Sequence, residues 1–92
     1  VFNRAAAVTM GLKEGTLVAQ VHCGSRGYGR QICADYIERF QEAAPSYDIT
    51  PPDPNLVSAP LDSSEAEDYM GAVRAAANYA YANRQVLAHR VR

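Results

Sequence analysis

Cysteine, histidine and unbalanced charge are all scarce in this chain, and each shortage excludes a class of protein. The 92 residues hold two cysteines, Cys23 and Cys33. Two are too few to staple a small domain, and their spacing is not that of a zinc site. Free thiols fit a reducing compartment, so a cytoplasmic protein is expected. Nine lysines and arginines against ten aspartates and glutamates leave a formal net charge of −1. That argues against a generic polyanion-binding patch but leaves room for phosphate held at one focused place. No apolar run approaches the length of a membrane span and no signal-peptide pattern is visible, so no membrane partner is expected. The two histidines, His22 and His89, support no Ser-His-Asp arrangement. Internal repeats and low-complexity segments are absent. Residues 1–92 have no initiating Met, begin helix-like and end inside a helical pattern, which reads as an internal fragment of one larger domain. A chain this short buries only a modest core.

What is present is organised around Val21-His22-Cys23-Gly24-Ser25-Arg26-Gly27-Tyr28-Gly29-Arg30-Gln31. The alternating run Thr16–Val21 before it predicts a strand, and Val18 makes both strand faces partly apolar, as in a covered sheet. The run Gln31–Phe40 after it predicts an amphipathic helix with Ile32, Tyr36, Ile37 and Phe40 on one stripe. Phe2–Leu12 reads as a short helix ended by Gly11, with Gly15 turning the chain into the strand. Four of the five prolines fall between residues 44 and 55, which marks 44–60 as a Pro-rich surface loop. Ser64-Glu65-Ala66-Glu67 predicts a capping box opening a long final helix, acidic at its start and basic at its end. The expected fold class is α/β, with α+β as the variant: helix, strand, Gly loop, helix, Pro-rich loop, long helix, taken from a larger mixed layered domain.

A Gly-rich turn from a strand into a helix N-terminus leaves backbone N–H groups facing outward, and with the helix dipole these suit an anion such as phosphate. Arg26 adds a planar fork matched to phosphate oxygens; its structural alternative is an ion pair with Asp35 or Glu38. Ser25 and the N–H groups of Gly24 and Gly27 are placed to assist, and Gly24, Gly27 and Gly29 are expected to serve backbone shape. The pattern is neither a G-x-G-x-x-G fingerprint nor a P-loop. Cys23 follows His22 directly, so in a strand the two side chains point to opposite faces, and Cys23 is read as structural. Asn78, Asn83, Arg84 and Gln85 lie on an otherwise small-residue helix, where they either hydrogen-bond the glycine loop or form a solvated face. His89 is read as a helix-end residue favoured by the dipole.

His22-Cys23-Gly24-Ser25-Arg26-Gly27, with Gly29 and Gln31, resembles the H-[ST/C]-G-S-R-G-x-G-x-Q signature of the RtcB family of RNA ligases. A second block agrees in order and spacing: Ala59-Pro60, Ser64, Tyr69-Met70, then Ala75-Ala76-Ala77-Asn78-Tyr79-Ala80-Tyr81-Ala82-Asn83-Arg84-Gln85. The resemblance runs over essentially the whole chain. It implies a parent that joins RNA 3′-phosphate or 2′,3′-cyclic phosphate ends to 5′-hydroxyl ends in tRNA splicing and RNA repair. The family uses GTP as co-substrate and two manganese ions, and some members need an archease-type activator. The resemblance implies His22 as a manganese ligand, Arg26, Ser25, Gly24 and Gly27 as phosphate or RNA contacts, and Gln31, Asn78, Asn83, Arg84 and Gln85 as supporting residues. The family's guanylylated histidine has no counterpart among residues 1–92, so no catalytic nucleophile is assigned and the chain alone is expected to be inert. Position 30 is Arg where many members carry His. The alternative is a non-enzymatic anion-binding or structural α/β module.

Overall fold

The structure, a computed structural model, describes every residue from Val1 to Arg92. It consists of three helices, α1 (Arg4–Thr9), α2 (Gly27–Ala43) and α3 (Ser64–Val91), with one 3₁₀ turn, Ala44–Tyr47, after α2. There is no strand and no sheet, which overturns the α/β and α+β expectations. Residues 16–21 carry no regular structure, and residues 17–26 make no backbone–backbone hydrogen bond. The alternation in Thr16–Val21 is a sound strand pattern, but a strand exists only as a paired ladder. No second extended segment lies beside this one, and Leu17 stays 96% exposed.

α1 is shorter than the 2–12 span expected. Asn3 caps it, its side-chain oxygen accepting from the Ala6 N–H at 3.0 Å. Gly11 and Gly15 take positive φ, 71° and 83°, and turn the chain away after a single helical stretch. α1 buries no residue.

α2 and α3 form the packed unit. Ile32 and Phe40 are buried and Tyr36 and Ile37 half-buried, so the predicted stripe faces inward. Tyr36, Phe40 and Tyr69 of α3 form an aromatic cluster with ring centroids 5.1–6.0 Å apart, tilted or edge-on, the arrangement that aromatic quadrupoles favour. On α3 the buried side chains are Ala66 and Ala80, small enough to let the other elements approach its backbone. Arg39 of α2 donates to Asp68 of α3 at 3.0 Å and lies over the Tyr36 ring. This pair is solvent-exposed and adds little beyond orientation.

α2 begins at Gly27, four residues before Gln31, so Gly27 and Gly29 lie in its first turn and not in a loop. Its end matches the proline signal: Pro45 occupies the start of the 3₁₀ turn, which closes on Asp48 at φ 54°. The α3 N-cap also differs from expectation. Ser63, not Ser64, is the cap: its hydroxyl accepts from the Ala66 N–H at 3.2 Å and donates to the Pro60 carbonyl at 2.6 Å. Both serines are competent caps. The Pro60 carbonyl gives Ser63 a second partner and burial, so the helix starts there and Glu67 cannot close the reciprocal box. Ser63→Ala is therefore expected to cost about 1 kcal/mol or somewhat more, and Ser64→Ala a few tenths at most. Denaturant melts of the two variants in the parent protein check the order.

The 3₁₀ turn is tied to α3 by Tyr47, whose hydroxyl donates to Glu65 Oε2 at 2.8 Å. That bond holds the Glu65 carboxyl below its ordinary range, and the same carboxylate pushes the Tyr47 phenol up. Glu65's contribution is thus present above the ordinary carboxylate range and is lost as pH falls through its folded value. Tyr47's contribution is present below the ordinary phenol range and is lost as pH rises through its folded value. Tyr47→Phe should flatten the acid limb of the melting temperature against pH, by a small amount because both groups are solvent-accessible. An acid limb identical in the two proteins would show that the contact does not form in solution.

Candidate functional site

The segment 21–26 runs up to α2, and the first turn of that helix starts without a conventional cap. Arg26 is the N-cap residue, at φ 58° and ψ −140°, and no side chain caps the helix. A non-glycine residue there is strained by about 1–3 kcal/mol and persists only where its surroundings hold it. The expected use of Gly24, Gly27 and Gly29 for backbone shape is therefore only partly met. The one left-handed position in this turn falls on Arg26, and a Cβ on Gly24 or Gly27 would meet nothing. Gly29 does matter for packing, because a Cβ there would collide with Ser25 Oγ, whose side chain lies against it.

The Arg26 side chain forms no ion pair or hydrogen bond, so the pairing with Asp35 or Glu38 does not occur. Asp35 instead accepts from Gln31 Nε2 at 2.7 Å, which turns Gln31 along α2 and away from the loop. Arg26, Gly27 and Arg30 line an open polar groove at the start of α2. Arg30, to which sequence reasoning gave no role, joins Arg26 there through its i, i+4 spacing. No acidic residue occupies the first turn of α2. The groove thus combines unsatisfied N–H groups, the positive end of a 17-residue helix and two guanidinium groups, an arrangement that attracts anions.

His22 is exposed and makes no hydrogen bond. No three histidine, cysteine or carboxylate side chains converge on a common point anywhere in the chain. The donor set here is one imidazole, which fits a single position in a mixed nitrogen and oxygen sphere and does not complete one. His89 is exposed in the last turn of α3 and takes no part.

α3 reaches the loop at one place. Asn83 Nδ2 donates to the Gly24 carbonyl at 3.1 Å and to Cys23 Sγ at 3.1 Å. Arg84 Nη1 donates to the Cys23 carbonyl at 2.9 Å, and its guanidinium lies 4.7 Å from the centroid of the Tyr81 ring. Asn78 and Gln85 are exposed and hydrogen-bond nothing in the loop. Tyr28 of α2 meets Tyr79 of α3 with centroids 6.0 Å apart, a second link between the start of α2 and α3. The exposed tyrosines gave no periodic signal by which sequence reasoning could have paired them.

A family model described as tRNA-splicing ligase RtcB matches residues 1–92. A tRNA-splicing ligase RtcB of Archaeoglobus fulgidus is 45% identical over the whole of this chain, which covers 19% of that relative. The Methanocaldococcus jannaschii protein of the same name is 47% identical, with 10% of it covered. An RNA-splicing ligase RtcB of Mycobacterium tuberculosis is 44% identical, with 21% covered. The chain therefore spans about a fifth or less of the curated relatives it matches. The family model and the relatives agree over its full length, and the chain belongs to the RtcB family of tRNA-splicing ligases.

Proposed function

We propose that this chain is the phosphate-holding part of an RNA ligase that joins 3′-phosphate or 2′,3′-cyclic phosphate ends to 5′-hydroxyl ends, in tRNA splicing and RNA repair. The observation that carries the reading is the uncapped start of α2, where Arg26 is free of any ion pair and stands four residues after the exposed His22. In this reading Arg26 grips a phosphoryl group bidentately, with Ser25 and the N–H groups of Gly24 and Gly27 beside it. Two of the supporting roles proposed on α3 go with contacts, those of Asn83 and Arg84; Gln31, Asn78 and Gln85 have none to the loop.

Manganese, when bound, supplies charge that polarises phosphoryl oxygens. His22 is the residue of this chain suited to ligate it, and the other ligands lie outside residues 1–92. GTP as co-substrate, an archease-type activator and a cytoplasmic site of action belong to the same reading; no helix of the chain is long and apolar enough to cross a membrane. The test is to incubate the full-length parent with GTP, manganese and RNA bearing a 2′,3′-cyclic phosphate on one end and a 5′-hydroxyl on the other. A sealed product is expected, and residues 1–92 alone should give none. A parent that binds RNA ends and never seals them would leave only an anion-binding module.

A further inference from the structure

The segment that carries His22 and Arg26 is held from the side, by side chains of a distant helix. Residues 17–26 make no backbone–backbone hydrogen bond with one another or with the rest of residues 1–92, so within this chain no ladder or turn fixes their path. Two consecutive carbonyls in the segment, those of Cys23 and Gly24, are nevertheless bonded. The first accepts from Arg84 at 2.9 Å and the second from Asn83 at 3.1 Å. Cys23 and Gly24 are the two residues that lie between His22 and Ser25-Arg26. Asn83 uses its amide twice, reaching Cys23 Sγ as well. Arg84 is itself steadied by the Tyr81 ring beneath its guanidinium.

We infer that Asn83 and Arg84 are positioning residues: they clamp the Cys23 and Gly24 carbonyls to α3 and thereby set where His22 and Arg26 stand relative to each other. The inference rests on the proposed roles of those two residues, and it explains a feature those roles leave open. Arg26 sits at φ 58°, a conformation that relaxes wherever the neighbouring backbone is free to turn. With the carbonyl of Gly24 fixed two residues upstream and α2 fixed downstream, the turn has no slack to relax. The charged donor on the Cys23 carbonyl is the stronger half of the clamp, because hydrogen bonds from ionised groups exceed neutral ones. Correct placement of reacting groups is worth large rate factors, and a shift of about 1 Å costs on the order of a hundredfold.

The test uses the full-length parent with Arg84→Ala, Arg84→Lys and Asn83→Ala. Limited trypsin digestion is followed by mass spectrometry at the Arg26–Gly27 bond, with cleavage after Lys13 as the internal reference, and sealing is assayed in parallel. Arg84→Ala should speed cleavage after Arg26 roughly tenfold or more and leave Lys13 unchanged. It should also lower the sealing rate on the order of a hundredfold at saturating RNA. Arg84→Lys, which keeps a charged donor, should recover much of both, and Asn83→Ala should fall between. Should Arg84→Ala fail to fold, the lysine and Asn83 variants carry the same comparison. Unchanged cleavage after Arg26 in folded variants overturns the clamp. A loosened segment with undiminished sealing overturns its positioning role. The digestion needs no ligase activity, so a parent that proves not to be a ligase would fail in the sealing assay alone and leave the clamp to be judged by cleavage.

Discussion

Replacing His22 by alanine in the full-length parent is expected to abolish RNA sealing and to leave the melting temperature where it was. The two halves of this expectation have separate causes. The fold is indifferent because His22 is exposed, accepts and donates no hydrogen bond and packs in no cluster; surface changes of that kind usually stay within about ±0.5 kcal/mol. Sealing should not be indifferent, because in its proposed role as a manganese ligand the imidazole has no substitute among the neighbours. Cys23 is turned to Asn83, and no group of three or more histidine, cysteine or carboxylate side chains forms at the position. Loss of sealing together with a large fall in stability would mean that His22 is a structural residue. Normal sealing would remove it from the site.

The second large effect is at Arg26, where side chain and backbone can be separated. Arg26→Lys keeps the charge but loses the planar fork, and the rate of sealing should fall at least about tenfold, equivalent to ~1.4 kcal/mol of transition-state binding. Arg26→Gly removes the side chain and relieves the left-handed strain at φ 58°. It should lose as much activity or more and yet melt no lower than the parent, because the relief of strain, about 1–3 kcal/mol, offsets glycine's added freedom in the unfolded chain. Sealing assays and thermal melts on both variants decide the point. A lysine variant as fast as the parent would reduce Arg26 to a general positive charge. A glycine variant that melts well below the parent would show that the guanidinium holds the fold.

The helices were legible because their signals are local. The Ile32, Tyr36, Ile37 and Phe40 stripe follows from spacing alone, and Pro45 ends α2 through its own ring. The strand was not legible as absent, because Thr16–Val21 satisfies every local rule for a strand and fails only the non-local one, a partner. Ser63 against Ser64 was undecidable from sequence: both hydroxyls can cap, and the Pro60 carbonyl that favours Ser63 is a matter of how the loop folds back. At the site, the motif singles out His22 and Arg26, and the structure shows the first exposed and the second free of any ion pair. The polar group 78–85 on α3 was legible as a set facing the loop or solvent. Its division into Asn83 and Arg84, which reach the loop, and Asn78 and Gln85, which do not, depends on how α3 lies against α2. The Arg26 backbone was invisible for a related reason. Three nearby glycines invite the left-handed conformation, and the structure places it on the arginine between them.

In the proposed reading this loop presents one metal-ligating imidazole beside a separate phosphate grip. Manganese titration followed by electron paramagnetic resonance of the full-length parent, His22→Ala and Arg26→Lys tests it without reference to RNA. His22→Ala should lose a manganese site that the parent fills, while Arg26→Lys should keep the parent's stoichiometry and affinity. Equal manganese binding by the parent and His22→Ala would contradict it.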